Sequence, residues 1–140
     1  MSGTNRYSIG HSNSYEKTLT GILKDHYKRD KKARGEFGEL LGDLLTQLTI
    51  DPRAAGDQER WPKGTSREGW HFRKARFNMP GLRGKCRHGR LMYLIDSENY
   101  AVIPFIIYTH DEYGSQRMTR PPDKELKRMI EEHTPEESDN

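Results

Sequence analysis

The sequence predicts an α+β fold, in which a helical hairpin packs on a small antiparallel sheet and a C-terminal helix follows. Two successive segments carry apolar residues at helical spacing, three later segments are rich in β-branched and aromatic residues, and a third helical pattern closes the chain. Of the 140 residues, 31% are hydrophobic, so we expect one domain over residues 1–140 with a small core. Residues 1–5 and 134–140 are expected to be disordered.

The N-terminal part is predicted to hold a short strand and a first helix. Residues 6–10 alternate between apolar and polar, which is typical of an edge strand. Asn13 and Glu16 resemble a capping box, and an apolar face follows at helical spacing: Leu19, Ile22, Leu23 and Tyr27. The next segment, DHYKRDKKAR, is highly charged, and Gly35 is expected to mark a break within or after it.

The second helix has the clearest pattern in the chain. Its apolar residues fall at i, i+3, i+4, i+7, i+8 and i+11 and form one continuous stripe: Phe37, Leu40, Leu41, Leu44, Leu45 and Leu48. Asp51 and Pro52 should end this helix, because a residue before proline disfavours the α conformation. Two successive helices with one apolar face each indicate a hairpin that packs on a sheet.

Three strands are predicted after an irregular, polar loop over residues 53–69. They cover residues 70–77, 90–96 and 101–109, and the turn SENY joins the last two. Pro104 has no backbone N–H to donate, so the last strand should lack a ladder partner there or carry a bulge. Residues 111–122 are predicted to be a polar loop, and Pro121 and Pro122 lead into the last helix.

The positive charge of the chain is concentrated in one segment, HFRKARFNMPGLRGKCRHGR, over residues 71–90. It holds seven lysines and arginines and no acidic residue, while the net charge of the whole chain is only +3. Such a cluster is self-repelling unless a polyanion neutralises it, which favours a nucleic-acid partner over a solvated strand face. The cations expected to bind nucleic acid are Arg73, Arg83, Lys85 and Arg87.

Cysteine content and hydropathy bear on compartment and cofactors. Cys86 is the only cysteine, so no disulfide can form within the chain and a reducing compartment is the simple interpretation. We find no bilayer-spanning apolar stretch and no secretory signal, and therefore expect a cytoplasmic protein without a membrane partner. Cys86 and His88 lack the second ligand pair that a zinc site needs, so no metal and no cofactor are predicted.

The order of elements and three motifs together resemble the RelE/ParE toxin superfamily, particularly its RelE and HigB branches. The motifs are GWHFRKARFNMPGLRGKCRHGRLMYLID, FIIYTHDEY and ELKRMI, and the resemblance covers roughly residues 7–132. It implies a RelE-like fold and a toxin of a type II toxin–antitoxin system. The implied activity is that of a ribosome-dependent endoribonuclease (an mRNA interferase) that inhibits translation, with mRNA, the ribosome and a cognate antitoxin as partners.

The resemblance also implies catalytic residues for a metal-independent reaction, in which a 2′-hydroxyl attacks the adjacent phosphate. The family's basic pair on the first meander strand matches Lys74 and Arg76, and its arginine entering the second strand matches Arg90. Past the third strand the candidates for proton transfer are Tyr108, His110 and Asp111, with Tyr113 nearby. The family's late arginine has no clear match, and Arg117 could take its role only if its loop folds back.

Two other functions remain open on the sequence. The first is a protein of RelE-like fold without nuclease activity, acting as a nucleic-acid-binding or protein-binding module. The second is a small enzyme of unrelated fold, which would need a deep apolar pocket that this sequence offers little surface to line. Convergence of Lys74, Arg76, Arg90 and His110 in one concave patch would favour cleavage over binding alone.

Overall fold

A mixed five-stranded sheet organises the computed structural model, which describes residues 6–113 and 120–134. The elements are β1 (Ser8–Ile9), α1 (Asn13–His26), α2 (Lys31–Ile50), β2 (Asp57–Gln58), β3 (Trp70–Asn78), β4 (His88–Asp96), β5 (Ala101–Thr109) and α3 (Asp123–His133). Short 3-10 turns at Gly84–Arg87 and His110–Glu112 flank β4 and β5. The predicted α+β class, with its helical hairpin and C-terminal helix, is confirmed.

The strand order is β1-β5-β4-β3-β2, and the three long strands form the predicted antiparallel meander. The sheet is not wholly antiparallel, because β1 pairs parallel to β5 through Ser8–Ala101 and Ile9–Val102. This ladder is only two residues long. Further along the chain, hydroxyls of α1 bond the β5 backbone: Ser14 donates to the Phe105 carbonyl, and Thr18 accepts from the Ile107 N–H.

Both helices of the hairpin begin differently from the prediction. Ser12, rather than Asn13, caps α1, and its hydroxyl accepts from the Tyr15 N–H. Helix α2 begins at Lys31, where the Asp30 carboxylate accepts from the Ala33 N–H. The expected break at Gly35 is therefore wrong: this glycine is exposed inside α2, and a strong cap outweighs its low helix propensity.

Pro104 coincides with the irregularity that its sequence predicts. The pairing of β4 with β5 shifts between Met92, opposite Ile106, and Tyr93, opposite Pro104, which leaves Phe105 as the extra residue of a bulge. The predicted loop over residues 53–69 is irregular except for the two residues of β2. Asp57 and Gln58 pair antiparallel with Lys74 and Arg73 and form the far edge of the sheet.

Each face of the sheet has its own apolar core. The hairpin of α1 and α2 covers one face, where Phe37 and Leu48 pack with Leu91, Tyr93 and other buried residues. Helix α3 covers part of the other face with Leu126, Met129 and Ile130, which join a cluster that includes Phe72, Met92 and Tyr108. The α3 face is the one that carries the candidate site.

Two expectations fall partly outside the described residues. Residues 1–5 and 135–140, expected to be disordered, are not described, while Thr134 is described and buried. Arg117 lies in the undescribed segment 114–119. Among the helices that the structure does describe, none combines the length and hydropathy required to cross a bilayer.

Candidate nucleic-acid site

Two arginines on neighbouring strands form the centre of the candidate site. Arg76 of β3 lies opposite Arg90 of β4, and Arg90 lies opposite Tyr108 of β5. Residues directly opposite in a ladder project from the same face, so these three side chains form one row across the sheet. The row belongs to the α3 face, because Lys74 and Phe72 precede Arg76 on β3 with the same alternation.

An open pocket of about 280 Å³ lies at the end of this face. It is lined by Arg76, Phe77, Asn78, His88 and Arg90, so both arginines contribute to its wall. Asn78 and His88 are themselves opposite each other in the ladder between β3 and β4. The pocket is shallow and polar, which suits a phosphate group with its flanking sugars better than an apolar ligand.

The charges around the pocket favour an anion. Partial burial lowers the pKa of Arg90, and the positive charge of Arg76 lowers it further. A phosphate between the two guanidinium groups would relieve this repulsion and could accept hydrogen bonds from both. Arg76 currently pairs with Asp57 at 2.9 Å, but both side chains are more than half exposed, and such a pair is weak and exchangeable.

Lys74 shares the face of Arg76 but is not available to a ligand in the same way. Its side chain is only 8% exposed, and its Nζ lies 3.3 Å from Oε1 of Glu59. The other carboxylate oxygen of Glu59 accepts from Arg120 at 2.9 Å, and Arg120 also pairs with Asp123 at the start of α3. Lys74 therefore belongs to a buried ionic network that joins β3 to α3.

Of the residues expected to transfer protons, His110 lies nearest to the pocket. Its ring meets that of His88 edge to face, with ring centroids 6.2 Å apart, and His88 lines the pocket. Tyr108 is buried, and its ring contacts that of Tyr113 at 5.3 Å. Burial, followed by the charge of Glu59, raises the pKa of Tyr108, so its hydroxyl keeps its proton at neutral pH.

Asp111 has partners of its own beside the pocket. One of its carboxylate oxygens accepts a hydrogen bond from the Thr109 hydroxyl, and the other lies 3.6 Å from Sγ of Cys86. These bonds hold the carboxylate in its ionised form, and the Thr109 bond is the main reason that the pKa of Asp111 is lowered. A base with a lowered pKa accepts protons poorly, so Asp111 is better suited to holding the turn than to proton transfer.

The four cations expected to bind nucleic acid separate into two groups. Arg73 projects from the opposite face and donates to the carbonyl oxygens of Arg53 and Gly56, so it stabilises the loop before β2. Arg83, Lys85 and Arg87 are exposed on the turn that leads into β4. In the part of the chain that the structure describes, none of these three lies within ion-pair distance of a carboxylate.

A second basic segment adjoins this turn. The connection between α1 and α2 and the first turn of α2 carry exposed cations, namely Lys28, Arg29, Lys31, Lys32 and Arg34. The Tyr27 hydroxyl donates to the Pro80 carbonyl at 2.8 Å, and Gly81 packs closely on Ala33. These contacts bring two basic segments, far apart in sequence, to the same end of the molecule and extend the positive surface beyond the pocket.

The sequence interpretation left out Asn78 and His88 of the pocket, and Glu59 and Arg120 of the ionic network. The strand alternation that placed Lys74 and Arg76 on one face also places Asn78 there, so the signal for Asn78 was present. His88 could be found only by pairing the strands in register. Glu59 and Arg120 lie in irregular segments, where no periodic pattern reveals a partner.

Cys86 and the histidines do not form a recognisable metal site within the described ranges 6–113 and 120–134. No group of three or more histidine, cysteine, aspartate or glutamate side chains is arranged there to hold an ion. Burial and the neighbouring Asp111 carboxylate raise the pKa of the Cys86 thiol. A thiol so placed is a poor nucleophile at neutral pH.

Comparison of this chain with known proteins finds no matching family and one kind of distant structural likeness. No protein-family model matches the chain, and no curated protein does. A matching solved structure is the toxin–antitoxin complex RelBE2 from Mycobacterium tuberculosis, with 17% identity over 74% of this chain and 98% of that chain, at a TM-score of 0.40.

Proposed function

We propose that this protein is a RelE/HigB-like endoribonuclease toxin that cleaves mRNA on the ribosome. The observation that carries the proposal is the adjacent pair Arg76 and Arg90 in an open pocket whose wall includes His88, with the His110 ring against His88. Two guanidinium groups and nearby imidazoles supply what cleavage of a phosphodiester needs, namely cations for the developing charge and groups that move protons. The implied partners are mRNA, the ribosome and a cognate antitoxin.

In the proposed reaction, the 2′-hydroxyl of one nucleotide attacks the adjacent phosphorus and the bond to the 5′-oxygen breaks. The products are a 2′,3′-cyclic phosphate and a 5′-hydroxyl. Arg76 and Arg90 would bind the phosphate oxygens and stabilise the additional negative charge of the transition state. His110 would take part in proton transfer, while Lys74 would contribute mainly through the ionic network that joins β3 to the start of α3.

The proposal is tested by induced expression in a bacterial host, with growth and integrity of a reporter mRNA followed together. The wild-type chain should arrest growth and cut the message inside translated codons. Arg90→Ala should lose both effects, because the remaining arginine cannot replace a bidentate phosphate contact. Arg128→Ala, which removes an exposed arginine on α3, is the matched control and should behave like the wild type.

A second function is favoured by the internal bonding of Lys74 and Asp111. Because both are held by protein partners, fewer catalytic groups face the pocket than the family resemblance implies. A nucleic-acid-binding module without nuclease activity needs only Arg76, Arg90 and the exposed cations. Normal growth with intact message, together with salt-sensitive RNA binding by the purified protein, would support this function and contradict the nuclease.

A further inference from the structure

Among the described residues, His88 lines the pocket and His110 lies against His88. His88 lines the wall directly, and the ring of His110 stands edge-on to it at 6.2 Å between centroids. They come from different elements, since His88 begins β4 and His110 follows β5. The β4–β5 ladder, in which Arg90 faces Tyr108, brings the two strand ends together.

We propose that His88 and His110 act as a pair in phosphodiester cleavage, one as general base and the other as general acid. The inference rests on the proposed nuclease function and adds His88 as its second proton-transfer residue. A single group would have to do both steps in turn, whereas two imidazoles near one phosphate can act on its two sides. An ordinary imidazole exists in both protonation states near neutral pH, which suits it to either role.

The proton balance of the step defines the two roles. The neutral imidazole takes the proton of the attacking 2′-hydroxyl as the new bond from oxygen to phosphorus forms. The imidazolium gives its proton to the 5′-oxygen as the old bond from phosphorus to oxygen breaks. The pair ends the step with its protonation states exchanged, and water restores them when the cyclic phosphate is hydrolysed or released.

The surroundings of the pair supply charge of both signs. The sheet contributes Arg76 and Arg90, and the turn before β4 contributes Lys85, Cys86 and Arg87. The turn after β5 contributes Asp111 and Glu112, and His26 of α1 is close enough to influence the pKa of Asp111. Asn78, opposite His88, is the neutral polar neighbour on β3. The two arginines favour a phosphate bound beside the pair.

The experiment measures single-turnover cleavage of an mRNA fragment bound in the A site of purified ribosomes, over a range of pH. The variants are His88→Gln and His110→Gln, with His11→Gln as the matched control, since His11 is exposed at the start of α1. Each pocket variant should cleave about 100-fold more slowly or worse, with fragment binding retained. The wild-type profile should be bell-shaped, and each pocket variant should lose one limb.

A second substrate distinguishes proton transfer from a structural role. Replacing the 5′-bridging oxygen with sulfur makes a leaving group that needs no proton, so it should restore cleavage in the variant that lacks the acid and not in the other. Three results would each overturn the proposed pair while leaving the nuclease function intact. They are wild-type-like cleavage and pH dependence in His88→Gln, loss of fragment binding in that variant, and no rescue by the sulfur substrate in either variant. No cleavage by the wild-type chain would overturn both.

Discussion

At the scale of single residues, Lys74 shows that strand alternation predicts the face on which a side chain lies, but not its burial or its partners. Its position two residues before Arg76 places both on one face, as the sequence predicts. Lys74 forms an ion pair with Glu59, which also pairs with Arg120, so Lys74 lies in a buried ionic network and not on the surface. The sequence therefore predicts that a strand face is charged. It does not predict the partner that neutralises the charge, because that partner lies in an irregular segment without a periodic pattern.

Glu59→Gln should destabilise the fold by about 3 kcal/mol, because it leaves the Lys74 ammonium buried without its counter-charge. Urea unfolding at pH 7 measures this destabilisation. Glu132→Gln removes an exposed partner of Arg128 and should change stability by less than about 0.5 kcal/mol. Equal effects of the two substitutions would contradict the assignment of Glu59 to a buried network.

The destabilisation in Glu59→Gln should depend on pH in a defined direction. Burial lowers the pKa of Lys74, and Glu59 is the main influence that opposes this. Without Glu59 the folded-state pKa falls further below the unfolded value, so the unfolded chain binds more protons between the two values and stability rises with pH there. The deficit relative to the wild type should therefore shrink as unfolding is repeated at alkaline pH.

At the scale of elements, α2 shows which signals identify a helix and which fix its ends. The apolar stripe located its body, and Asp51 with Pro52 located its end, as observed. Its first turn is charged and holds a single buried residue, Ala33, so the Asp30 cap is the clearest signal of where it starts. Strand β2 was not predicted for a related reason. Its two residues are exposed and have no apolar pattern, and they form a strand because they pair with β3.

The glycines of α2 offer a stability test at this scale. Gly38 and Gly42 are exposed, and a Cβ at either would meet nothing within 4 Å. Alanine at each should stabilise the protein by about 0.5–1 kcal/mol, because it reduces the backbone entropy of the unfolded chain. Gly56→Ala should instead destabilise, since its Cβ would lie 2.7 Å from the Lys74 carbonyl oxygen. Thermal unfolding of the three variants distinguishes these outcomes.

At the scale of the whole molecule, the positive surface is broader than the basic segment in the sequence. The turn with Arg83, Lys85 and Arg87 adjoins the cations around the start of α2, and these two segments extend the positive surface beyond the pocket that holds Arg76 and Arg90. The concentration of charge on residues 71–90 was evident from the sequence. The approach of the two distant segments follows from the hydrogen bond of the Tyr27 hydroxyl to the Pro80 carbonyl and was not evident from the sequence.

Neutralising the turn should therefore reduce the salt dependence of RNA binding. Lys85→Gln with Arg87→Gln should weaken binding and lower the slope of log affinity against log salt by about 0.7 for each RNA phosphate that the protein no longer neutralises. Lys124→Gln with Lys127→Gln makes the same charge change on exposed positions of α3 and should leave the slope unaltered. An identical slope in both double variants would remove the turn from the interface.

The connection of β1 to β5 has a consequence for the order in which the molecule forms. The strands of the meander, β3, β4 and β5, are consecutive along the chain, so the strands that hold the two arginines can pair early and locally. The bond from Ser14 to the Phe105 carbonyl spans 91 positions, and contacts this distant in sequence bear a larger loop-closure cost. During synthesis, the N-terminal strand and the helical hairpin must wait for β5 before they can dock. A released chain truncated before Ala101 should therefore lack the sheet surface on which the hairpin docks, and a released chain truncated just after Thr109 should have it.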